Sequence, residues 1–335
     1  MNAAGGGWRE SGSRAWQLVL IAGAAVTSAA AIVGQLIADR LVGVSVLTYL
    51  TLPLILIAAL AMVLIFFTCR VKRRRKALLA LPLLCAIALE VPALLGIGRY
   101  DADITDAMPL RLLHWNVQWG GDFSTGDAWS AVEEQIVSEQ PDVVVLSEAP
   151  LSEISSESLR TRLGPDWQRG SVDHIDAKIR YFARMRVLSR YPIVVEKRWG
   201  TKHGTIALAR IDSPRPMSLL LVDGVSGPGD KHTLLKEVSR QVKQLVPDVI
   251  CGDFNAVPRN IGFSPLYNDS YRDVSTMGAS LRPTWPAWFP VVQIDHVLVH
   301  RRNSVTNSHS LFNFKIDHRG RMAILQIPPL WTVPQ

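Results

Sequence analysis

The chain has 335 residues, 48% of them hydrophobic, with a formal net charge of +7 and three cysteines. Residues 1–100 hold ten of the 36 Lys and Arg and three of the 29 Asp and Glu, leaving 26 of each sign beyond residue 100, so the net charge is no sign of a nucleic-acid-binding domain. Two cysteines fall in apolar segments and leave Cys251 alone in the remainder, which excludes a disulfide framework there.

The apolar excess is concentrated in three segments, Trp16–Leu36, Leu41–Cys69 and Ala77–Gly98. Each exceeds the roughly 20 residues that a helix needs to cross a hydrocarbon core, so three transmembrane helices are expected in a membrane region of residues 1–100. A signal peptide would be shorter and would not be followed by two more spans. The stretch Arg70–Lys76, RVKRRRK, is expected as a short cytoplasmic loop of an inner (plasma) membrane protein by the positive-inside rule. The N-terminus with Arg9 and Arg14 is then cytoplasmic, the turn at Asp39–Arg40 lies outside, and everything after residue 100 is extracytoplasmic. Glu90 reads as a residue near the membrane boundary rather than a helix contact.

Residues 101–109 form a polar linker, and residues 110–335 are long enough for one substantial core. Strands are expected at Arg111–Val117, Asp142–Leu146, Val187–Val195, Thr205–Ile211 and Met217–Val222, with helices at Ala128–Glu139 and Leu234–Val246. Further strands surround Asp295–His296 and follow Asp317–His318. The aromatic run TWPAWFP, holding Trp285, Trp288 and Phe289, reads as a loop packed on the core rather than as the rim of a substrate groove or a contact with the bilayer.

An internal echo runs through this region. A helix, then Gln140-Pro141-Asp142-Val143, then an apolar strand, ends at Glu148; a helix, then Val246-Pro247-Asp248-Val249, then an apolar strand, ends at Gly252-Asp253. Two related units that each deliver a carboxylate at a strand end make a plausible cation site. The ordered set His114-Trp115-Asn116, Leu146-Ser147-Glu148, Gly252-Asp253-Phe254-Asn255, Ile294-Asp295-His296 and Asp317-His318 resembles the endonuclease/exonuclease/phosphatase family over about residues 110–327. The resemblance implies an α+β fold, a four-layer αββα sandwich of two mixed sheets flanked by helices. It also implies hydrolysis of a phosphoester with Mg2+, or Mn2+ in its place.

Hard oxygen ligands suit such a cation, and Glu148 is the first of them, with Asn116 in the same shell and Asp317 as a second contact. Asp253 is placed as the base or water-orienting group and Asn255 as a donor to a phosphoryl oxygen. His318 acts on the phosphate or the attacking water, with Asp295 holding its imidazole in one tautomer. His114, His203, His232 and His296 read as structural or solvated. Two departures stand out: aligned on the strand LLLVDGVSGP, Ser226 takes the place of a second family histidine, and Ile316 that of a serine before Asp317. Either the leaving group needs no proton from that position, or Lys231 or His232 reaches in, or activity is reduced. A membrane-anchored phosphoesterase acting on a lipid-like or small phosphoester is the reading taken. A DNA-cutting enzyme, which would need a local patch such as Arg184, Arg186 and Arg190, is one alternative, and a non-catalytic scaffold retaining the fold is the other.

Overall fold

The computed structural model describes residues 7–37, 40, 45–69, 72–121, 127–176, 181–227, 231–268, 270–278 and 280–329. Asp39, Arg70 and Val71 of the topology argument lie outside them, as does Pro228. The chain divides into two compact units, Met1–Ala93 and Leu94–Gln335.

The first unit contains α1 (Gly7–Ile37), the short α2 (Ser45–Tyr49), α3 (Thr51–Thr68) and α4 (Arg73–Leu94). Among the described residues, three stretches are long and apolar enough to cross a membrane: Ala15–Ile37, Thr51–Thr68 and Arg74–Leu94. Two details differ from the sequence expectation. The second apolar segment is broken at Leu50, and Arg73–Lys76 form the first turn of α4 rather than a loop, with α4 ending at Leu94 rather than Gly98. Small residues let the helices close on one another, Ala31, Ala58 and Ala86 being wholly buried, while Leu18, Leu60, Phe67 and Leu78 point outward as a lipid-facing surface requires. Glu90 corrects its reading as a boundary residue. It is buried, and its carboxylate accepts from Gln35 Nε2 at 2.8 Å and Thr51 Oγ1 at 3.4 Å, joining α4 to α1 and α3.

The second unit runs β1 (Leu95–Gly96), β2 (Met108–Asn116), α5 (Asp127–Ser138), β3 (Val143–Ser147), α6 (Glu153–Leu163), β4 (Gln168–Asp176), β5 (Tyr181–Ser189) and β6 (Ile193–Thr201). It continues with β7 (Gly204–Ile211), β8 (Met217–Gly224), α7 (His232–Leu245), β9 (Val249–Asp253), α8 (Ser264–Asn268), β10 (Tyr271–Asp273), β11 (Ser280–Leu281), β12 (Asp295–His300), β13 (Ser304–Leu311) and β14 (Gly320–Ile327). One sheet has the order β10-β12-β9-β8-β7-β6 and the other β13-β14-β2-β3-β5-β4; β1 and β11 form a separate two-stranded ribbon. In each large sheet one pair is parallel, β8 with β9 and β2 with β3, so both sheets are mixed. The run Val187–Val195, read as one strand, is two. Arg190, Tyr191 and Pro192 turn the chain between β5 and β6, which lie in different sheets.

Strand alternation explains the layers. Leu110 and Leu112 of β2, Val143 and Val145 of β3, Leu219 and Leu221 of β8, and Val249 and Cys251 of β9 face the opposite sheet and form the central core. The alternate residues Leu113, Trp115, Val144 and Leu146 pack outward on α5 and α6, and Leu220, Val222 and Ile250 on α7. The result is the four-layer sandwich. Continuing the inward parity to the strand ends replaces apolar residues by His114, Asn116, Ser147, Asp223 and Asp253, so the space between the sheets turns polar at one end.

Candidate active site

The polar end is a row. Thr205 of β7 is in register with Asp223 of β8, Asp223 with Asp253 of β9, and Asp253 with Asp295 of β12. Three carboxylates thus stand side by side across adjacent strands of one sheet, all buried. Such a row is unfavourable unless partners are supplied, and the opposite sheet supplies one to each. Tyr181 Oη donates to Asp223 Oδ1 at 2.8 Å, Asn116 Nδ2 to Asp253 Oδ2 at 3.0 Å, and His318 Nδ1 to Asp295 Oδ2 at 2.8 Å.

Local backbone geometry presents these groups. At Gly252, φ is 151° and a Cβ would come within 1.8 Å of the Val222 carbonyl oxygen, so only glycine lets β9 run this close to β8 immediately before Asp253. Asn255 (φ 47°) and Glu148 (φ 45°) take left-handed conformations just past their strands, which turns the chain at the point where each side chain must reach the site. The backbone N–H of Asn255 donates to Asp253 Oδ1 at 2.8 Å, and its Nδ2 to Asp253 Oδ2 at 3.1 Å and to Gly224 O at 2.9 Å. Asn255 therefore holds Asp253. Trp115 Nε1 donates to the His318 carbonyl at 2.9 Å, and Thr284 Oγ1 accepts from the Asp295 backbone N–H at 3.2 Å.

Burial and neighbouring charge set the protonation states. Burial, reinforced by the adjacent Asp295, pushes the Asp253 carboxyl up to about 7. Burial alone would lower His318, but the Asp295 carboxylate outweighs it and holds the imidazole up at about 10, so it is charged at neutral pH. Asp295, which burial would raise, is kept below the usual carboxylate range by His318. Glu148, half-buried, is raised by burial. Asp223 is raised well above the ordinary value by burial and by Asp253. Wholly buried His114 is lowered to about 4 by its burial and is neutral.

All the residues that the sequence singles out meet at this end of the sandwich. Asn116 and Asn255 are joined to Asp253 by direct hydrogen bonds, and His318 is joined to Asp295 by another. Glu148 interacts with His318 and Asn116, and Asp317 Oδ1 lies 3.9 Å from His318 Nε2. Ligand atoms of Asp253, Asp295 and His318 lie within 4.8 Å of one another. A charged imidazole whose Nδ1 is committed to Asp295 is a donor rather than a metal ligand, so this trio reads as a hydrogen-bonded Asp295–His318 pair beside the Asp253 carboxyl. Among the described carboxylates of the site, Asp223 Oδ2, Asp295 Oδ1 and Asp317 Oδ1 are buried atoms without a hydrogen-bond partner.

Four side chains were missed by sequence reasoning: Tyr181, Asp223, Thr284 and the indole of Trp115. Asp223 had a usable signal, because the apolar run Leu219–Val222 breaks at Asp223-Gly224 much as Val249–Cys251 breaks at Gly252-Asp253. Ser226 is exposed, and Lys231 is buried with its Nζ donating to the Val225 carbonyl. Ile316 is buried against the outer core beneath α5. The loop with Trp285, Trp288 and Phe289 departs from expectation: Trp288 is 71% and Phe289 50% exposed, while Thr284 and Ala287 are the buried residues of the run. The arginines of the basic patch are all engaged in ion pairs. Arg184 and Arg186 pair with Glu153 and Asp173, and Arg190 pairs with Asp142.

No curated protein matches the chain. The fold is similar to that of an endonuclease/exonuclease/phosphatase family protein from Bacteroides thetaiotaomicron, with a TM-score of 0.52 at 14% identity over 69% of this chain and 99% of that one. A Bacteroides vulgatus structure of the same description gives 0.51 at 14% identity over 66% and 100%, and one from Beutenbergia cavernae 0.50 at 18% over 65% and 72%. The model of the Endonuclease/Exonuclease/phosphatase family matches residues 113–316, a span that holds every strand-end motif except the final Asp317-His318. With a match over more than half of its length, the chain belongs to the Endonuclease/Exonuclease/phosphatase family.

Proposed function

We propose that the chain is a membrane-anchored phosphoesterase that works with a divalent cation, Mg2+ or Mn2+, on a lipid-like or small phosphoester outside the cytoplasm. The observation that carries this reading is the charged, buried His318 beside Asp253, a carboxylate tuned to about 7. Such a pair holds one group ready to donate to an anion and another ready to take a proton at neutral pH.

The residues fit a hard cation. Glu148, Asn116 and Asp317 offer oxygen donors, the Asp317 Oδ1 atom is buried without a partner, and Asn116 Oδ1, which accepts from Gln118 N at 2.9 Å, keeps a second lone pair. A bound cation would neutralise phosphoryl charge as a Lewis acid. Asp253 takes a proton from the attacking water, with Asn116 and Asn255 fixing the carboxylate in place. His318 Nε2 donates to a phosphoryl oxygen, and Asp295 keeps the ring charged and oriented. Neutralisation of Arg184, Arg186 and Arg190 within the fold argues against duplex DNA as substrate, because non-specific DNA binding needs several unpaired cations.

The test uses the full chain in detergent with a phosphomonoester, a phosphodiester, a phospholipid and supercoiled plasmid. Hydrolysis of a lipid or small phosphoester should require Mg2+ or Mn2+ and stop in excess chelator. Turnover that persists in chelator would remove the cation, and efficient nicking of plasmid alone would restore a nuclease.

A further inference from the structure

Exposed apolar side chains gather along one edge of the second unit. In the ribbon, Leu95 of β1 stands opposite Leu281 of β11, and the Arg282 amide donates to the Leu94 carbonyl at 2.9 Å. Leu95, Ile97 and Leu281 are 40%, 75% and 46% exposed. The chain leaves β11 directly into the loop that displays Trp288 and Phe289. Phe314, 85% exposed, belongs to the same edge: Ser310 Oγ reaches the Leu281 carbonyl at 3.5 Å, and Arg319 donates to the Ala287 carbonyl at 2.8 Å while lying over Phe312, which stacks edge-on against Phe314.

Apolar surface of this extent is uncommon on a part that faces only water. The chain itself names what covers it. Leu94, whose carbonyl anchors Arg282, is the residue on which the third membrane-long helix, Arg74–Leu94, ends. By covalent connectivity the ribbon begins where that apolar helix stops, and Trp and Phe are side chains that favour the headgroup level of a bilayer. At its other side the loop meets the catalytic cluster, Trp285 Nε1 donating to Asp317 Oδ2 at 3.3 Å.

We infer that this edge is a lipid-binding surface, with Trp288, Phe289 and Phe314 seated among the headgroups of the bilayer that the three helices cross. The inference goes beyond the phosphoesterase reading and stands without it. The experiment reconstitutes the full chain in phosphatidylcholine vesicles, with or without phosphatidylcholine brominated near the headgroup. Subtracting the emission of Trp288→Phe from that of the parent chain isolates Trp288 among the ten tryptophans. That difference should fall by about twofold or more with brominated lipid and be protected from aqueous iodide. Phe289→Trp placed on the Trp288→Phe background supplies a second probe in the same loop and should behave alike. Emission quenched by iodide and indifferent to brominated lipid at both positions overturns the inference, whether or not the protein hydrolyses anything.

Discussion

At the residue scale the Asp295–His318 pair sets the strongest expectations. Glu148→Gln and His318→Ala should each lower turnover by at least about a hundredfold, read from initial rates at saturating substrate. His318→Ala also strands a buried carboxylate whose Oδ1 already lacks a partner, and should lose about 3 kcal/mol of stability in a denaturant titration; adding Asp295→Asn should recover part of that loss without restoring activity. The pH dependence follows from the direction of each shift. The raised His318 stabilises fully below its unfolded value of about 6.5 and loses that contribution as pH rises through about 10. The lowered Asp295 stabilises above about 3.9 and loses its contribution in more acidic solution, while the raised Asp253 favours folding below about 3.9 and ceases to do so as pH rises through about 7. From these three groups, thermal midpoints of the cation-free chain should be highest near pH 4 and decline from there toward pH 10. Asp253 and Asn255 were legible because they sit in a short polar motif at the end of an apolar run, and Asp295 and His318 because theirs stand just at or before the start of one. Tyr181 was not, since its role comes from a strand of the opposite sheet with no local trace.

Among the elements, the echo of the two Pro-Asp-Val segments has a physical content. Asp142 accepts from the Arg111 amide at 2.8 Å and Arg190 Nη1 at 2.5 Å; Asp248 accepts from the Ser218 amide at 2.9 Å and Arg302 Nε at 3.0 Å. Each is a buried carboxylate at the start of a strand, capturing the neighbouring parallel strand and an arginine, after a left-handed residue, Gln140 or Val246. The motif thus sets the register of β2 on β3 and of β8 on β9. Asp142→Asn and Asp248→Asn should each cost about 2 kcal/mol in chemical denaturation. Because the two share no partner, the double variant should show their sum. Strands with continuous apolar runs were readable from composition, whereas β4 (QRGSVDHID) and α6 (EISSESLRTRL) carry polar residues on both faces and gave no period to detect. The fusion of β5 with β6 in the sequence reading has a similar cause. Apolar residues continue up to and past Tyr191-Pro192, and only the change of sheet reveals the turn.

For the whole molecule, the basic cluster at the start of α4 predicts orientation. A C-terminal alkaline phosphatase fusion should be active and a cytoplasmic fluorescent fusion dark, and neutral substitution of the six basic residues in Arg70–Lys76 should invert both results. The second unit carries a different consequence in its row of aspartates. Asp223, Asp253 and Asp295 belong to one sheet, and the groups that answer them, Tyr181, Asn116 and His318, come from β5, β2 and the residue group preceding β14 in the other. Neither sheet formed alone contains a working centre; it would hold only a bank of repelling acids or a set of donors with nothing to bind. In a refolding experiment, recovery of turnover would consequently lag behind the far-ultraviolet signal of strand formation and keep time with closure of the two sheets, making the enzyme its own clock for the final docking step.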